Sequence, residues 1–375
     1  MTRQAEERPA ASGIDIKESA KVAVLFTSPQ TVLPDIAQAM RLADYTAHLP
    51  RDVATALKIN ISWQRYYPAC STTPWQLEGV IRALQEDGYG ELMPAQNATV
   101  VVDSHEGEVK NKHNVVLDRY GLKSVHLNDK DARWVRYQPK GEMLVLDKIF
   151  PDGIYLPEVL IGKNIIHLPT LKTHVFTTIT GAMKNAFGGL LHFHRHWTHP
   201  VIHETLVDLL TIQKEIHPGV FAVLDGTMAG EGPGPRAMRV RETNVVLGSA
   251  DQVAIDAVAA KIMGFDPMSI RFIRLAHERG LGCGDPSQVE VVGADISQLN
   301  FGLKGGEDTL FSRVQKSVYW GPFSPVEKFL SRSFITPVGY LVSNLYHNLY
   351  WYNLFGRSRV KKALSSDWGR LFLSY

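Results

Sequence analysis

Five histidines, His192, His194, His196, His199 and His203, crowd one short stretch of a chain that has 14 in 375 residues. Imidazole titrates near neutrality and is a common metal ligand, so the density predicts metal or acid/base chemistry. His192, His194, His196 and His199 are the candidate ligands for a divalent ion, nickel or zinc. The plain alternative is an aromatic, solvated loop, because the local run reads His-Phe-His-Arg-His-Trp. His199 and His203 are four apart, a spacing that shares a helix face, and Glu204 follows them. That order differs from the zinc-protease helix, where the glutamate follows the first histidine.

Just upstream lies a second cluster. Asn164 to Leu168 reads as a buried strand, Leu171-Lys172-Thr-His174 as the loop after it, and Met183 to Phe187 as a helix with Thr177, Thr178 and Thr180 as N-cap choices. Free amides at such a helix start attract anions, and Lys172 and Lys184 add positive charge. Lys184 has small or apolar neighbours, Gly181, Ala182, Met183, Ala186 and Phe187. Most lysines are solvated, but one pressed into this setting has a lowered pKa and serves as a nucleophile or charge clamp. Lys172, His174, Lys184 and Asn185 are therefore the candidate catalytic residues.

Ligands in open α/β sheets bind beyond the carboxyl ends of strands, which selects further candidates. Lys58 and Asn60 stand at one such end, Asp103, Ser104 and His105 at another, and Asp225 at a third. Asp103 and Asp225 have turn capping as their plain reading. The loop Gly230-Glu-Gly232-Pro-Gly234-Pro-Arg236 is a candidate phosphate cradle, with Arg236 supplying a fork of donors. It lacks the Gly-Lys-Ser/Thr ending of a P-loop, and a flexible turn explains it equally well. Asp251 suits an N-cap, whereas Asp256 lies within an apolar helix and needs a cation or donors. Lys58, Lys172 or Lys184 is the expected partner.

Taken together, Lys172-Thr-His174, Thr180-Gly-Ala-Met-Lys184-Asn185-Ala-Phe-Gly188, Leu224-Asp-Gly226, Gly230-Glu-Gly-Pro-Gly-Pro235 and Ala250-Asp-Gln-Val-Ala-Ile-Asp256 resemble the prokaryotic domain of unknown function 362 family. Many of its members resemble iron–sulfur proteins because they carry a ferredoxin-like cysteine module. This chain has only Cys70 and Cys283, so no iron–sulfur cluster and no disulfide framework is expected, and a reducing cytoplasm fits.

A shorter likeness covers Lys172 to the histidine run. The nickel-pincer lactate racemase family has a Lys-Pro-His loop and, ten residues after that histidine, the lysine of a Ser-Gly-Leu-Met-Lys helix. Lys172-Thr-His174 and Thr180-Gly-Ala-Met-Lys184 keep that spacing. The resemblance implies His174 as an acid/base, Lys184 as the covalent anchor of a nickel-pincer nucleotide, and one of His192 to His203, with His199 nearest, as nickel ligand. No counterpart of the racemase's other histidine base is evident, and Ser71-Thr-Thr-Pro-Trp75 is a loose echo of its Asp-x-Thr-Arg-Pro loop.

These residues need a scaffold, and the remaining pattern supplies one. Residues 1–13 read as a disordered tail without a signal-peptide core. Strands are expected at Val22 to Phe26, Leu57 to Ile61, Thr99 to Val102, Met143 to Ile149, Ile165 to Leu168, Val220 to Leu224, Val245 to Leu247 and Val289 to Val292. Helices are expected at Trp75 to Asp87, His199 to Glu215, Asp251 to Met263 and Met268 to Arg279. The alternation predicts an α/β fold of mostly parallel sheets with flanking helices. Two lobes with a cleft are expected, residues 14–150 and 151–310, the second carrying the Lys/His site, followed by an extension at 311–375.

Residues 334–356 contain no Asp, Glu, Lys or Arg, are rich in aromatics, and precede Arg357, Arg359, Lys361 and Lys362. Asn344, Asn348 and Asn353 argue against a membrane span. An amphipathic helix is expected, packing on the core or a second subunit or lying on a membrane surface. Forty basic against 38 acidic residues give a near-neutral chain without a basic stripe, which excludes nucleic-acid binding. The sequence thus predicts a cytoplasmic enzyme, with peripheral contact at the inner membrane face, acting on a small carboxylate or phosphate substrate. Its preferred chemistry is isomerisation or epimerisation, by analogy. The alternatives are a metal-assisted hydrolase or lyase using His192 to His203, and a non-catalytic ligand-binding or membrane-associated protein.

Overall fold

The structure, a computed structural model, describes residues 20–98, 102–322, 342 and 344–375. Its strands are β1 (Lys21–Phe26), β2 (Thr55–Ile59), β3 (Leu92–Gln96), β4 (Val125–His126), β5 (Trp134–Tyr137), β6 (Ile154–Pro157), β7 (Asn164–Leu168), β8 (Thr170–His174), β9 (Thr178–Ile179), β10 (Val220–Glu231), β11 (Arg239–Ser249) and β12 (Glu290–Gly293). Ten of them make one mixed, mostly parallel sheet ordered β12-β1-β11-β10-β7-β2-β3-β4, with β8 on the far half of β10 and β9 paired to β8. β5 and β6 form a separate antiparallel pair.

Both faces of this sheet are buried, and the period-two alternation shows it residue by residue. In β2, Ala56 packs into one apolar layer while Leu57 and Ile59 pack into the other. The second layer holds α1 (Val32–Leu42), α2 (Tyr45–His48), α3 (Pro74–Glu86) and α5 (His113–Arg119), with α4 (Ser104–Lys110) alongside. The first holds α6 (Leu146–Ile149), α7 (Gly181–Leu190), α8 (Ile202–Ile216), α9 (Gln252–Met263) and α10 (Arg271–Glu278). Helices thus cover both faces, an α/β architecture. Strands from either side of residue 150 share the sheet, β7 lying directly between β2 and β10. The spans expected as two lobes therefore do not form separate sheets.

Two local expectations change. Met143 to Ile149 is not a strand but leads into α6, because the Asp208 carboxylate of α8 accepts from the amides of Leu144, Val145 and Leu146 at 2.7, 2.9 and 3.0 Å and gathers the backbone into a turn. Leu171 to His174 is strand β8, not a loop, and forms a hairpin with β9. The expected strand from Thr99 lies outside the described residues up to Val102, as does the tail at 1–13. β3, just before it, carries the pairing to β2.

After α11 (Leu310–Tyr319), the described C-terminal part runs through π-helical turns at Tyr346–Gly356 into α12 (Arg357–Leu364) and α13 (Asp367–Ser374). This extension folds back on the core. Trp351 packs on Trp63 and Tyr67, the Trp63 indole donates to Asn348 at 2.7 Å, and Arg359 donates to the Met238 carbonyl at 2.7 Å. Its outer face is apolar and exposed, with Leu345, Leu349, Tyr350, Leu354 and Phe355 all facing outward. Among the described residues no helix is long and apolar enough to cross a membrane. Residues 334–341 and 343 of the expected amphipathic segment lie outside the described residues.

Candidate functional site

Lys58 is the fourth of five residues of β2, so alternation turns it to the face covered by α7, away from its neighbours Leu57 and Ile59. It is 2% exposed. Burial, with the Arg195 charge added, pushes its ammonium down to about 7. Gly189 makes this placement possible, since a Cβ there would stand 2.7 Å from Lys58 Cε. Asn185 of α7 donates to the Lys58 carbonyl at 2.9 Å and ties the helix to the strand end.

Lys172 and His174 alternate with Thr173 along β8, and both are buried. The Lys172 ammonium donates to the Cys70 carbonyl at 2.9 Å and the Thr170 hydroxyl at 2.6 Å, and burial lowers its pKa to about 8. Lys184, partly buried on α7, is lowered to about 7 by burial and by Lys172 and Arg195. It lies 5.5 Å from the Phe187 ring centre. His174 is held well below its usual pKa by burial and by the charges of Lys184, His199, Lys172 and His203. The charges of Lys184 and Lys172 and the ring of His199 thus all act on His174.

The backbone sets the tautomers of the two central histidines. His174 Nδ1 accepts from the Phe176 amide at 3.1 Å, so its proton is on Nε2. His199 Nδ1 faces the His196 carbonyl at 3.0 Å and must donate, which leaves the lone pair on Nε2. Burial, with nearby cations, lowers His199 to about 3. Phe176 stands between these rings, 5.7 Å from each, and Tyr319 and Trp320 of α11 and its C-terminal end pack over it at 5.8 and 5.6 Å. The Trp320 indole donates to the Pro200 carbonyl at 2.8 Å and fixes that cover.

Apart from His199, the remaining expected residues fall elsewhere. His192, His194, His196 and His199 lie at the head of and along 3₁₀ turns, Phe193–Val201, where only positions three apart eclipse. His192 packs against Trp134 at 4.7 Å and His194 stacks on Trp197 at 4.3 Å. Among the described residues no group of three or more His, Cys, Asp or Glu could hold a metal, so the run does not form the expected ligand set. Gly232 and Gly234 are not a phosphate cradle: their amides donate to the carbonyls of Lys304 and Gly232 at 2.8 Å each, and Gly234 abuts the Thr173 carbonyl. Arg236 is turned inward, donating to the Ser62 carbonyl at 3.0 Å.

Asn60 clasps its own loop, donating to the Cys70 carbonyl at 3.2 Å and accepting from Ser62. Among the described residues Asp256 meets no lysine. Its carboxylate caps α7 instead, accepting from the Ala182 and Met183 amides at 2.5 and 3.0 Å, while burial pushes its pKa up to about 8. Thr180, at the N-cap position, makes no side-chain cap bond. Asp251 and Asp103 are N-caps as read, and Asp225 accepts from the Thr227 amide. Ser71 to Trp75, the racemase-loop echo, lines a separate pocket of about 10 Å³, room for one water. Arg195 and Asn97 join the site without having been foreseen. Arg195 donates to the Ala98 carbonyl at 2.6 Å, and the Asn97 amide nitrogen is buried without a partner among the described residues.

A mixed α/β sheet whose central strand ends carry a buried lysine–histidine group is thus the class of protein defined by fold and site. The chain belongs to the family described as domain of unknown function (DUF362), whose model matches residues 55–261. It is 34% identical over 131 residues to the thylakoid-associated protein sll1697 of Synechocystis sp.. That stretch is 33% of this chain and 40% of the relative. No solved structure matches the chain.

Proposed function

We propose that the protein is an enzyme of the isomerase or epimerase type, acting by proton transfer on a small anionic substrate. The observation that carries this is the shared setting of Lys172, His174, Lys184 and His199, in which burial, Lys172 and Arg195 act on Lys184 and, among the described residues, no carboxylate does. Burying cations without acidic partners is costly, and a carboxylate or phosphate group of a ligand offsets it. His174 Nε2 carries a proton and is a hydrogen-bond donor toward a substrate oxygen, and His199 Nε2 carries the lone pair that would take a proton. Both are poor at accepting a proton while the lysine charges are uncompensated. An anion beside Lys184 raises both pKa values toward neutrality, coupling proton transfer to occupancy.

Among the described residues no group of three or more His, Cys, Asp or Glu is placed to hold a divalent ion. For a pincer nucleotide, the residues that fit are Lys184, whose low pKa favours covalent attachment, and His199 as a single nearby nitrogen. Intact-protein mass spectrometry tests that attachment through an adduct mapped to Lys184.

The test of the reaction is solvent exchange. Wild type is incubated in D₂O with 2-hydroxy acids and phosphorylated acids, and deuterium at the carbon bearing the acid function is read by NMR. Incorporation that disappears in His174→Ala and Lys184→Ala supports the reading. Incorporation unchanged in both variants overturns it.

A membrane-surface location is also part of the proposal. The outward row Leu345, Leu349, Tyr350, Leu354 and Phe355, followed by Arg357, Lys361 and Lys362, suits an anionic lipid surface, and a relative is named as thylakoid-associated.

A further inference from the structure

We propose that the segment from Glu307 to Trp320, built on α11, is a hinged lid that closes over the lysine–histidine site and lifts to admit the ligand. The inference rests on the reading of Lys172, His174, Lys184 and His199 as the place where the ligand reacts.

Lys172 and His174 are buried and His199 is half-buried, so a ligand needs a moving part to reach them. What lies over them is aromatic. Phe176 touches the His174 and His199 rings on one side and the Tyr319 and Trp320 rings on the other. Tyr319 also lies parallel to His199, 6.0 Å away at an interplanar angle of 2°. Ring contacts of this kind break and re-form without leaving a buried donor or acceptor unpaired.

The covering unit is self-contained. Thr309 caps α11 by accepting from the Ser312 amide at 3.1 Å, and Lys316 pairs with Asp308 at 2.8 Å, so the helix keeps its own bonds when it swings out. Just upstream the chain is pinned to the end of β10, where the Lys304 amide donates to Glu231 at 3.0 Å and its carbonyl accepts from the Gly232 amide at 2.8 Å. Gly305 and Gly306 separate that pin from the unit. Gly306 has φ +76°, and nothing stands within 4 Å of where its Cβ would be, which leaves a pivot free to turn. One polar contact at each end of the unit holds it down. Glu307 forms a surface ion pair with Arg239 at 2.8 Å, and the Trp320 indole, on a side chain that is 48% exposed, donates to the Pro200 carbonyl. A surface ion pair contributes little, and water replaces the indole's acceptor once the helix lifts. Closure is therefore easily reversed.

Carbethoxylation of histidines by diethyl pyrocarbonate on the full chain, mapped by peptide mass spectrometry, reads the opening without requiring activity. In wild type His199 reacts slowly beside His105, whose side chain is exposed. Trp320→Phe keeps a ring on Phe176 but removes the donor to Pro200, and Glu307→Ala removes the ion pair. Each raises the His199 rate several-fold, and the double variant raises it further. His167, buried in β7, stays unmodified throughout, which separates local lifting from loosening of the whole fold. A His199 rate in the double variant equal to wild type, or His167 reacting in step with His199, overturns the lid. Deuterium exchange absent from wild type, with His199 opening as expected, leaves the lid standing and removes the proposed reaction. Exchange present with no change at His199 does the reverse, so the two readings fail separately.

Discussion

The Asp256 carboxylate of α9 lies 2.5 Å from the Ala182 amide, and a Cβ on Gly181 would fall 2.3 Å from Asp256 Oδ1. One helix therefore caps another, and Gly181, at φ +68°, keeps the approach open.

Asp256→Ala removes the cap and costs about 1–2 kcal/mol of stability, and Gly181→Ala costs more because strain adds to the clash. Denaturant midpoints of the two variants check this ranking. A midpoint equal to wild type in Gly181→Ala would contradict the capping geometry.

Lys184, lowered to about 7, is a free amine in substantial fraction at neutral pH, unlike a solvated lysine. Limited acetylation at pH 7, followed by peptide mass spectrometry, is expected to modify Lys184 faster than surface lysines such as Lys130. Trp320→Ala, which strips an indole from Phe176, accelerates it further. Slower labelling of Lys184 than of Lys130 in both proteins would remove the case for an activated amine.

The buried lysines also fix a pH trend. Lys58 at about 7 in the folded chain and near 10.4 unfolded is neutral when folded and charged when unfolded across that window. The unfolded state binds more protons there, so stability from this group rises with pH between about 7 and 10. Lys58→Met flattens that rise. An identical slope in wild type and variant, read by urea denaturation at several pH values, counts against the depressed pKa.

Gly234 sits where a Cβ would come 1.9 Å from the Thr173 carbonyl oxygen. Since that atom is backbone, Gly234→Ala forces β8 to move, with a cost of about 1–3 kcal/mol. Because β8 carries Lys172 and His174, deuterium exchange falls along with stability. Full activity in a destabilised Gly234→Ala protein would show that β8 does not position the site.

The exposed row on the C-terminal helix gives the last prediction. Leu349 and Leu354 are each 59% exposed, so replacing both with Glu leaves the core intact while opposing insertion at an anionic surface. Flotation with vesicles containing phosphatidylglycerol is expected for wild type and lost in the double variant. Equal flotation of both would place membrane contact elsewhere.

What the sequence discloses follows from how local each cause is. β1, β7, α8 and α9 were legible because aliphatic periodicity is carried by neighbouring residues. The nearness in sequence of His174 and Lys184 was legible because the hairpin of β8 and β9 runs straight into α7. α6 was not, because its cause is Asp208, distant in sequence. β3 was missed because Leu-Met-Pro-Ala-Gln has no β-branched residue. The glycine loop misled because no pattern tells which amides are already bonded to carbonyls. Asn97 and Arg195 stood outside any motif, and only folding brings them to Lys58.

The docking of α13 bears on how the molecule is made. Trp368 is 1% exposed, stacks 5.3 Å from Trp75 and donates to Asn244 at 2.7 Å, while Phe372 lies 3.7 Å from Tyr66. Until α13 has emerged from the ribosome, Trp75 and Tyr66 lack these partners, leaving a greasy surface on the nascent chain. This side of the sheet is thus sealed only late in synthesis, after the strands and helices it covers have been made.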